Sequence, residues 1–546
     1  MNIAGSLQPL DFLVIAIYLV SVITIGFWVS FRQKHAGDLF LAGRQLRWHS
    51  VGLSILGTNV SPSMMLSACA VAYTSGMVAA NFEWLAWWFL FLLAMIFVPH
   101  YLKTRISTMP EFLERRFSAS CRNFLSWYTL FTTLVLWLGG ALYPGGLLLH
   151  QIMGWPLWVC VLLLIAVATS FTVAGGLAAV VVTDAFQVVL MIGASAALVL
   201  IGLAKAGGIA ALADAVPADY WRLFRDASDP QYPWHAIVLG YPVLGIWFWC
   251  TDQTIVQRVL GARNIDHGQR GALFAGFLKI ITPLLFYVPG ILCFVLFPAV
   301  KDPDQAYMTM VTKLFPAGMV GLVVAVLIAA LISTIDSGLN SFSTVFTLDI
   351  YCRHLRPNAP TREIIWTGRV VTVAAAMIAV LCALWMSTLE KNMFDLLQSI
   401  IAYFAPPMAA VFLIGTLWKR ATAPAALATL IAGTIVSLSV GFCQLTNRPS
   451  PDVWPHYLLV LFYFFVPWAN RSSPDVWPHY LLVSFYLFAT CAILMIVVSL
   501  LTARPPAEKA LPTLREAYAL SQRSFVVWIL WGLLAVIMAA IYLFFN

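Results

Sequence analysis

Charged side chains are scarce in this sequence. Only 10% of the 546 residues are Asp, Glu, Lys or Arg, whereas 61% are hydrophobic and the mean hydropathy is +0.88. Soluble globular domains carry about a quarter charged residues, so that class is excluded. Apolar runs of roughly 20 residues recur along the chain, and no hydrophilic stretch is long enough for a separate soluble domain. The composition predicts an all-α polytopic membrane protein surrounded by a lipid bilayer.

The sequence also lacks the motifs of several enzyme classes. It contains no G-x-x-x-x-G-K-[ST] phosphate loop, no H-E-x-x-H metal motif and no nucleophile elbow. The nine cysteines show neither paired spacing nor a metal-binding pattern. Because ATP-driven pumping and hydrolysis lack their machinery, we predict that the protein is not an enzyme. The first apolar run follows Asp11 rather than a basic leader, so we expect a retained helix rather than a signal peptide.

Basic residues concentrate in alternate connections between the apolar runs, for example Arg115, Arg116, Arg258 and Arg263. By the positive-inside rule these connections are cytoplasmic, which places both termini outside the cytoplasm, and the compact loops favour a plasma (inner) membrane. The net charge of +8 is then a topology signal, and no feature predicts binding to nucleic acid. The predicted spans, about fourteen transmembrane helices, are residues 11–31, 49–75, 80–102, 123–149, 156–173, 180–204, 236–256, 272–299, 317–349, 367–388, 394–417, 423–443, 479–502 and 524–545.

A tandem duplication lies near the C-terminal end. Residues 448–465 (RPSPDVWPHYLLVLFYFF) recur almost unchanged as residues 471–488 (RSSPDVWPHYLLVSFYLF). If the first copy also spanned, the basic loop from Arg504 to Arg523 would lie outside, against the charge rule. We therefore predict that only the second copy spans, and that the first lies at the outer interface or re-enters the membrane.

Four oxygen-bearing residues, Ser333, Thr334, Asp336 and Ser337, interrupt an apolar stretch from residue 318 to 348. On a helix, positions i, i+3 and i+4 share one stripe, which gathers their oxygens where water is scarce. This chemistry suits a small hard cation, and we predict sodium. Alternatively, the hydroxyls bond back to the helix or join neighbouring helices. An unpaired Asp336 carboxylate at that depth would cost several kcal/mol or take up a proton.

Two further segments place polar groups inside apolar runs. Asp184, in the segment 175–187, lies too far into its span to act as a helix cap, so it is the natural partner of the Ser333, Asp336 and Ser337 stripe. The second span is interrupted by Gly57-Thr-Asn-Val-Ser-Pro62. Broken helices at this depth free carbonyl groups for cations, although a plain proline kink is the alternative.

Glu83 and Lys279 are charged residues inside predicted spans. Lys279 is the only basic residue placed within the membrane apart from Arg369 near a span end. It either snorkels to an interface or, with Glu83 and Gln398, forms a polar pocket. Nearby aromatic residues either stack on a sugar ring or pack the bundle; they are Trp247, Phe248, Trp249, Phe394 and Phe404.

Several separate motifs together resemble the sodium/solute symporter family, and most closely its sodium/glucose cotransporter branch. The motifs are residues 108–117 (TMPEFLERRF), 175–187, 253–258 (QTIVQR), 333–341 (STIDSGLNS) and 349–351 (DIY). The resemblance runs from about residue 11 to about residue 443. It implies a LeuT-type fold of two inverted five-helix repeats, at about 49–204 and 236–417, with a leading helix at 11–31 and C-terminal helices within 423–546.

The resemblance also implies sodium ligands. The conserved site of the family corresponds to the backbone carbonyls of Gly57, Val60 and Ala330 with the hydroxyls of Ser333 and Thr334. A second site, known in some members, corresponds to Asp184, Ser333, Asp336 and Ser337. Because Asp336 replaces a hydroxyl residue, tighter sodium binding, proton uptake and a structural role all stay open, as does the number of sodium ions per solute.

The family's sugar pocket corresponds to Asn59, Glu83, Lys279 and Gln398, which keep the residue types of sugar-transporting relatives. These side chains offer the donors and acceptors that a ring of hydroxyls needs. Met64 and Gly245 stand at pocket positions where the family has other residues, and Phe248 stands at the inner aromatic gate, which is often Tyr. Phe394 is a further aromatic residue at the pocket. The departures favour another hexose, a pentose, an inositol or a modified sugar over glucose and galactose.

The resulting prediction is a sodium-coupled symporter that imports a sugar or related polyhydroxylated solute by alternating access. Its predicted partners are the solute, sodium and the lipid bilayer, and the sequence does not predict an oligomeric state. One alternative is a sodium-coupled monocarboxylate or amino-acid symporter, in which Lys279 pairs with the substrate carboxylate. A non-transporting sodium-responsive sensor is another, and a channel lacks the continuous polar pore that it would need.

Overall fold

A computed structural model describes residues 7–30, 36–387, 393–445, 479–506, 509 and 525–545. In these segments the regular structure is helical, and the β-pairing consists of two isolated bridges, Leu46 with Ala262 and Arg225 with Pro233. Eleven continuous helical segments in the described residues, some of them made of several of the helices given below, are long and apolar enough to cross a membrane. The prediction of an all-α multi-pass membrane protein is confirmed, whereas the count of fourteen spans stays a prediction.

The described chain contains 23 α-helices. The first ten are α1 (Pro9–Ser30), α2 (Ala36–Leu41), α3 (Trp48–Asn59), α4 (Pro62–Ser75), α5 (Asn81–Trp84), α6 (Ala86–Leu92), α7 (Val98–Lys103), α8 (Met109–Arg116), α9 (Ala119–Thr132) and α10 (Gly140–Met153). The next eight are α11 (Leu157–Lys205), α12 (Ile209–Ala215), α13 (Trp234–Gly245), α14 (Gln253–Leu260), α15 (Ile265–Phe286), α16 (Val288–Leu296), α17 (Ala306–Leu314) and α18 (Met319–Val345). The last five are α19 (Thr361–Met386), α20 (Met393–Leu417), α21 (Ala423–Leu445), α22 (Tyr480–Leu501) and α23 (Phe525–Phe544).

Several of these helices are joined by π-helical turns, which widen the helix locally and are frequent at functional sites. The π-helical segments are Leu93–Phe97, Thr133–Gly139, Ile246–Thr251 and Phe346–Leu355. The helix α22 begins inside the second copy of the duplication. The first copy lies outside the described residues, so its predicted interfacial or re-entrant position stays a prediction.

The interruption predicted in the second span is a true helix break. Helix α3 ends at Asn59, and Val60 is extended with φ −83° and ψ 107°. Helix α4 then starts at Pro62, where the fixed φ of proline suits the first helical turn. The hydroxyl of Ser61 accepts a hydrogen bond from the backbone N–H of Met64 at 3.2 Å and so caps the new helix. The break leaves the last carbonyl groups of α3 without helical partners.

Helix α11 joins two predicted spans, 156–173 and 180–204, through a kink at Gly176. The φ of Gly176 is 49° and its ψ is −155°, a conformation that favours glycine. A Cβ at this position would also overlap the backbone of Leu39. The kink therefore redirects α11 and lets the segment before α3 pack against it.

Helix α18 forms the centre of the bundle, where nearly all of its side chains are buried. It packs against α1, α3, α11 and α19. Asp11 of α1 accepts hydrogen bonds from the backbone N–H groups of Gly318 and Gly321, both at 2.7 Å. A carboxylate at a helix start satisfies free N–H groups and favours the positive end of the helix dipole. The leading helix is thus fastened to the start of α18.

Arg258 does not lie in a loop. It is one of the basic residues used for the charge rule, and it lies in the short helix α14, between the candidate spans Trp234–Thr251 and Ile265–Leu296, with 0% of its surface exposed. Lys279 is therefore not the only basic residue inside the bundle. An arginine near a predicted span end satisfies the charge rule equally well whether its side chain points outward or inward, so only packing distinguishes the two.

Candidate functional site

The break between α3 and α4 lies against α18. Thr58 Oγ1 of α3 is 3.2 Å from Ser337 Oγ of α18. Asn59 and Thr334 line one cavity, and Thr334 Oγ1 donates to the carbonyl of Ala330 at 3.0 Å. The partnerless carbonyl groups at the end of α3 therefore lie near hydroxyl and carbonyl groups of α18.

Asp184 of α11 connects these two helices. Its carboxylate is fully buried, with Oδ2 accepting from Ser54 Oγ of α3 at 2.5 Å and Oδ1 accepting from Ser333 Oγ of α18. Gly57 packs directly on Asp184, since a Cβ on Gly57 would lie 3.0 Å from the Asp184 Cβ. Two predicted sodium ligands, Gly57 and Ser333, thus adjoin the same carboxylate.

The predicted sodium ligands Gly57, Val60, Ala330, Ser333 and Thr334 all lie on α3, on its break or on the facing part of α18. They would supply three neutral carbonyl oxygens and two hydroxyl oxygens. Oxygen ligands of this kind suit a hard cation. The extended backbone of Val60 removes its carbonyl from the helical ladder, which leaves that oxygen available to a ligand.

The residues of the second predicted set, Asp184, Ser333, Asp336 and Ser337, have different hydrogen-bond partners. Ser333 donates to Asp184, whereas Asp336 Oδ1 accepts from Thr172 in the first half of α11 at 3.3 Å. Ser337 instead accepts a hydrogen bond from the guanidinium of Arg258. On a helix, residues i+3 and i+4 are about 100° apart, so Asp336 and Ser337 face different neighbours.

Glu83 and Lys279, predicted from separate spans, form a buried ion pair between α5 and α15. Lys279 Nζ also donates to Asn59 Oδ1 at 2.6 Å and lies 5.4 Å from the ring centre of Trp249. Thr282 Oγ1 donates to Glu83 at 3.3 Å. The lysine ammonium is therefore held inside the bundle by a carboxylate, an amide and an aromatic face, and it does not snorkel.

A cavity of about 630 Å³ adjoins this ion pair. Its volume is in the range of sites for small organic ligands. It extends to the segment 302–305, directly before α17, and we call this side of the cavity the Asp302 end. Of the predicted substrate residues, the following line it: Asn59, Met64, Glu83, Gly245, Phe248 and Gln398. Lys279 reaches it through its bonds to Asn59 and Glu83, and the side chain of Phe394 lies outside the described part of α20.

Aromatic residues form part of the cavity wall. Phe248 stacks on Trp137 with ring centres 5.4 Å apart, and Trp137 Nε1 donates to Asp252 Oδ2 at 3.3 Å. Trp247 and Trp249 also line the cavity. Phe404 instead packs on Tyr128 and does not line it.

Sequence reasoning missed several cavity residues. Trp137 and Tyr241 are the largest of them, and Ser63 and Ser67 add hydroxyl groups on α4. Trp137 lies in the π-helical segment Thr133–Gly139, where no 3.6-residue periodicity marks an inward face. A useful signal was available for α4, because Ser63 and Ser67 are four residues apart and so share one face.

The opposite end of the bundle, which we call the Asp349 end, is held closed by ion pairs. Arg122 of α9 contacts Glu114 of α8 at 2.7 Å and Asp349 at 2.5 Å, and Arg353 also pairs with Glu114. Thr108 Oγ1 donates to Asp349 at 2.9 Å. Burial would raise the pKa of Glu114, but hydrogen bonds from Arg122 and Arg353 outweigh it, so the pKa lies below its usual value.

Comparison with known proteins places this architecture in a family. Residues 39–433 match the sequence pattern of the Sodium:solute symporter family. The chain is similar to sodium/glucose cotransporter 4 of Danio rerio, with 33% identity over 79% of this chain and 72% of the relative. It is similar to sodium/mannose cotransporter SLC5A10 of Bos taurus, with 33% identity over 82% of this chain and 81% of the relative. It is also similar to sodium/myo-inositol cotransporter 2 of Rattus norvegicus, with 34% identity over 79% of this chain and 70% of the relative.

Two solved structures resemble the fold. A Na⁺-coupled sialic acid symporter in a substrate-bound outward-open state superposes with a TM-score of 0.75, at 24% identity over 91% of this chain and 99% of that chain. Mhp1, a nucleobase-cation-symport-1 family transporter, superposes with a TM-score of 0.54, at 14% identity over 88% of this chain and 98% of that chain. These similarities confirm the LeuT-type fold, while the limits of the two repeats stay predictions. Together with the family match, they show that the chain belongs to the sodium:solute symporter family.

Proposed function

We propose that this protein is a sodium-coupled symporter that imports a neutral, polyhydroxylated solute through a plasma (inner) membrane. The carrying observation is the common cavity beside the helix break. The proposed solute ligands Asn59 and Glu83 line it together with Thr334, one of the proposed sodium ligands. Asn59 directly precedes Val60, whose carbonyl we assign to sodium, so the two ligands would bind through one short piece of backbone.

The charge of the pocket favours a neutral solute. Lys279 is paired with Glu83 and hydrogen-bonded to Asn59, so its ammonium has no need of a substrate carboxylate. An anionic solute would have to displace Glu83 or lie beside it, and an uncompensated buried charge is costly. Sugar hydroxyls instead donate to the Glu83 and Asn59 oxygens and accept from Gln398. The relatives named for glucose, mannose and myo-inositol are consistent with this chemistry.

The shape of the cavity supports an outward-facing arrangement. It reaches the Asp302 end, whereas ion pairs of Glu114 join helices at the Asp349 end. By the charge rule the Asp302 end is external and the Asp349 end is cytoplasmic, with both termini external. In transport, the closed side must open while the Asp302 end closes over the solute.

Coupling follows from shared structure. Sodium at the break would tie α3 to α18 and fix Asn59 at the solute, so sodium binding prepares the solute site. By linkage, the solute then raises sodium affinity by the same factor. Thr334 and Gln398 separate the two roles, since we assign only Thr334 to sodium and only Gln398 to the solute.

Proteoliposome uptake tests this proposal. Labelled galactose, glucose, mannose and myo-inositol are offered under an inward sodium gradient and under an equal potassium gradient. We expect sodium-dependent uptake of at least one of them, competed by the others but not by lactate. Gln398→Ala should reduce uptake at saturating sodium, while Thr334→Ser, which keeps the hydroxyl, serves as the matched control. Equal uptake in both gradients, or strong competition by lactate, would contradict the proposal.

A further inference from the structure

A groove lies on the surface of the bundle between the first half of α11 and α19. Its volume is about 530 Å³, and eight of the ten residues that line it are apolar. Leu162 on one wall is 44% exposed and Met377 on the other is 62% exposed, so the groove faces away from the centre of the bundle. In a membrane this surface meets lipid chains, which are as apolar as the lining. The groove therefore suits an acyl chain.

One stripe of α19 joins this groove to two basic residues. Six residues follow one another along the helix at spacings of three or four, so they share one face. They are Arg362, Trp366, Arg369, Val373, Met377 and Val380. The last three line the groove. The apolar half of the stripe thus continues directly into a basic and aromatic half.

The two arginines of this stripe are available to an anionic ligand. Within the described residues neither forms an ion pair, and Arg369 Nε has no hydrogen-bond partner. The nearby acid Glu363 is already bonded to Tyr351 at 2.6 Å and to Arg356 at 3.1 Å. The Arg369 guanidinium lies 6.0 Å from the ring centre of Trp366, one turn toward the start of α19. Positive charge therefore collects at the start of the stripe.

The length of the stripe matches one leaflet of a bilayer. From Arg369 to Val380 a helix rises about 16 Å, at about 1.5 Å per residue. Half of the hydrocarbon core of a bilayer is about 15 Å thick. By the charge rule the start of α19 is cytoplasmic. Basic pockets between membrane helices on that side bind anionic lipid headgroups. A lipid of the cytoplasmic leaflet would place its headgroup at Arg369 and its chain end near Val380.

We propose that α19 and the first half of α11 form a binding site for an anionic phospholipid. Its phosphate group binds Arg369 and Arg362, and one acyl chain occupies the groove. The site is separate from the solute cavity and does not depend on which solute is carried. Both of its walls are hydrogen-bonded to α18, since Thr172 of α11 donates to Asp336 and Gly368 of α19 accepts from Ser343. The bound lipid thus contacts two helices that support α18.

Native mass spectrometry of the purified full chain tests the site. The protein in detergent is titrated with dioleoyl phosphatidylglycerol or with dioleoyl phosphatidylcholine, which has the same chains but no net charge. Wild type should retain one phosphatidylglycerol at a lower lipid concentration than phosphatidylcholine. Arg369→Gln should raise the phosphatidylglycerol concentration for half occupancy about fivefold, the effect of one basic residue near an anionic lipid. Arg369→Lys, which keeps the charge, should behave as wild type.

Two further variants separate the groove from the charge. Ala166→Phe places a ring in the groove from an exposed position on α11, and should weaken retention of both lipids. Arg263→Gln is the matched control, because Arg263 is an exposed arginine in the connection between α14 and α15. It should leave retention unchanged.

Three results would overturn the inference. They are equal retention of the two lipids by wild type, an equal loss on Arg263→Gln and Arg369→Gln, and unchanged lipid retention on Ala166→Phe. In the last case, loss of a dimer would show that a second copy of the chain fills the groove. If Arg369→Gln does not fold, Arg362→Gln and Ala166→Phe decide. Sodium-coupled uptake is measured separately, so failure of the lipid site leaves the proposed function standing.

Discussion

Two polar regions flank the helix break, and they balance charge differently. In the solute cavity one acid, Glu83, meets one base, Lys279, and the pair is neutral. The contact of α3, α11, α14 and α18, which we call the ion region, holds two buried carboxyl groups, those of Asp184 and Asp336, and one buried guanidinium, that of Arg258. A neutral pocket suits an uncharged solute, whereas an acidic region attracts a cation. The proposed solute and sodium sites thus differ in their electrostatics, although their ligands Asn59 and Val60 are neighbours in the chain.

The largest expected effect comes from breaking the neutral pair. Lys279→Met would leave the Glu83 carboxylate buried without a partner, which lowers the free energy of unfolding by about 3–5 kcal/mol. Glu83→Gln combined with Lys279→Met should restore much of the stability but not solute uptake, because the solute ligands are gone. Thermal unfolding and uptake measured on the same preparations separate these effects. If the double variant is as unstable as Lys279→Met alone, the pair does not set the charge balance.

The next effect concerns the ion alone. Thr334→Ala removes one hydroxyl ligand, which we expect to weaken sodium binding roughly tenfold, as for the loss of one polar interaction of about 1–1.5 kcal/mol. The sodium concentration for half-maximal uptake should rise, and solute affinity at saturating sodium should stay unchanged. Thr334→Ser should behave as wild type. Loss of solute affinity at saturating sodium would show that the two regions are not separate.

A change remote from both regions sharpens the comparison. Asp11→Asn removes the negative charge of the carboxylate that accepts hydrogen bonds from the backbone N–H groups of Gly318 and Gly321 at the start of α18. We expect the free energy of unfolding to fall by about 1–2 kcal/mol, the usual effect of losing a helix cap. Sodium affinity of the folded protein should change little. Ser21→Ala on the same helix, where the hydroxyl bonds only to its own helix, is the control.

The smallest effect concerns the Asp349 end. Because the pKa of Glu114 is lower in the folded protein, its contribution to stability is present above the pKa of an unfolded glutamate, about 4.3, and is lost as pH falls through the folded value. Its carboxylate is 26% exposed, so solvent screening keeps the contribution below about 1 kcal/mol. Thermal unfolding of wild type and Glu114→Gln should differ at pH 7, and the difference should shrink as pH falls through the folded pKa of Glu114. A constant difference would contradict this assignment.

Much of the fold and of the cavity was predictable from the sequence. Charged residues and helix breaks inside a membrane span cost free energy, so Glu83, Lys279 and the Gly57–Pro62 break already mark a site. The sequence predicted the contacts of Asp184 with Ser333 and of Glu83 with Lys279, but not other contacts between distant segments. The pairing of Asp336 with Thr172, and of Asp11 with the start of α18, depends on how whole helices pack.

Arg258 shows where sequence reasoning fails. The charge rule uses position along the chain, so it placed Arg258 between two spans but did not show that its side chain is buried. The neighbouring acids Asp252 and Asp184 were available in the sequence, but nothing in their spacing joins α14 to α11. Trp137 was missed for a related reason, since π-helical turns shift the inward face.

The central claim is that sodium and one neutral solute bind cooperatively at the helix break. Equilibrium binding of labelled myo-inositol and galactose to purified protein, measured over a range of sodium concentrations and compared with potassium, tests it most directly. We predict that sodium raises the affinity for at least one of them, and that this solute raises sodium affinity by the same factor. Binding of these solutes that does not change between sodium and potassium would contradict the account.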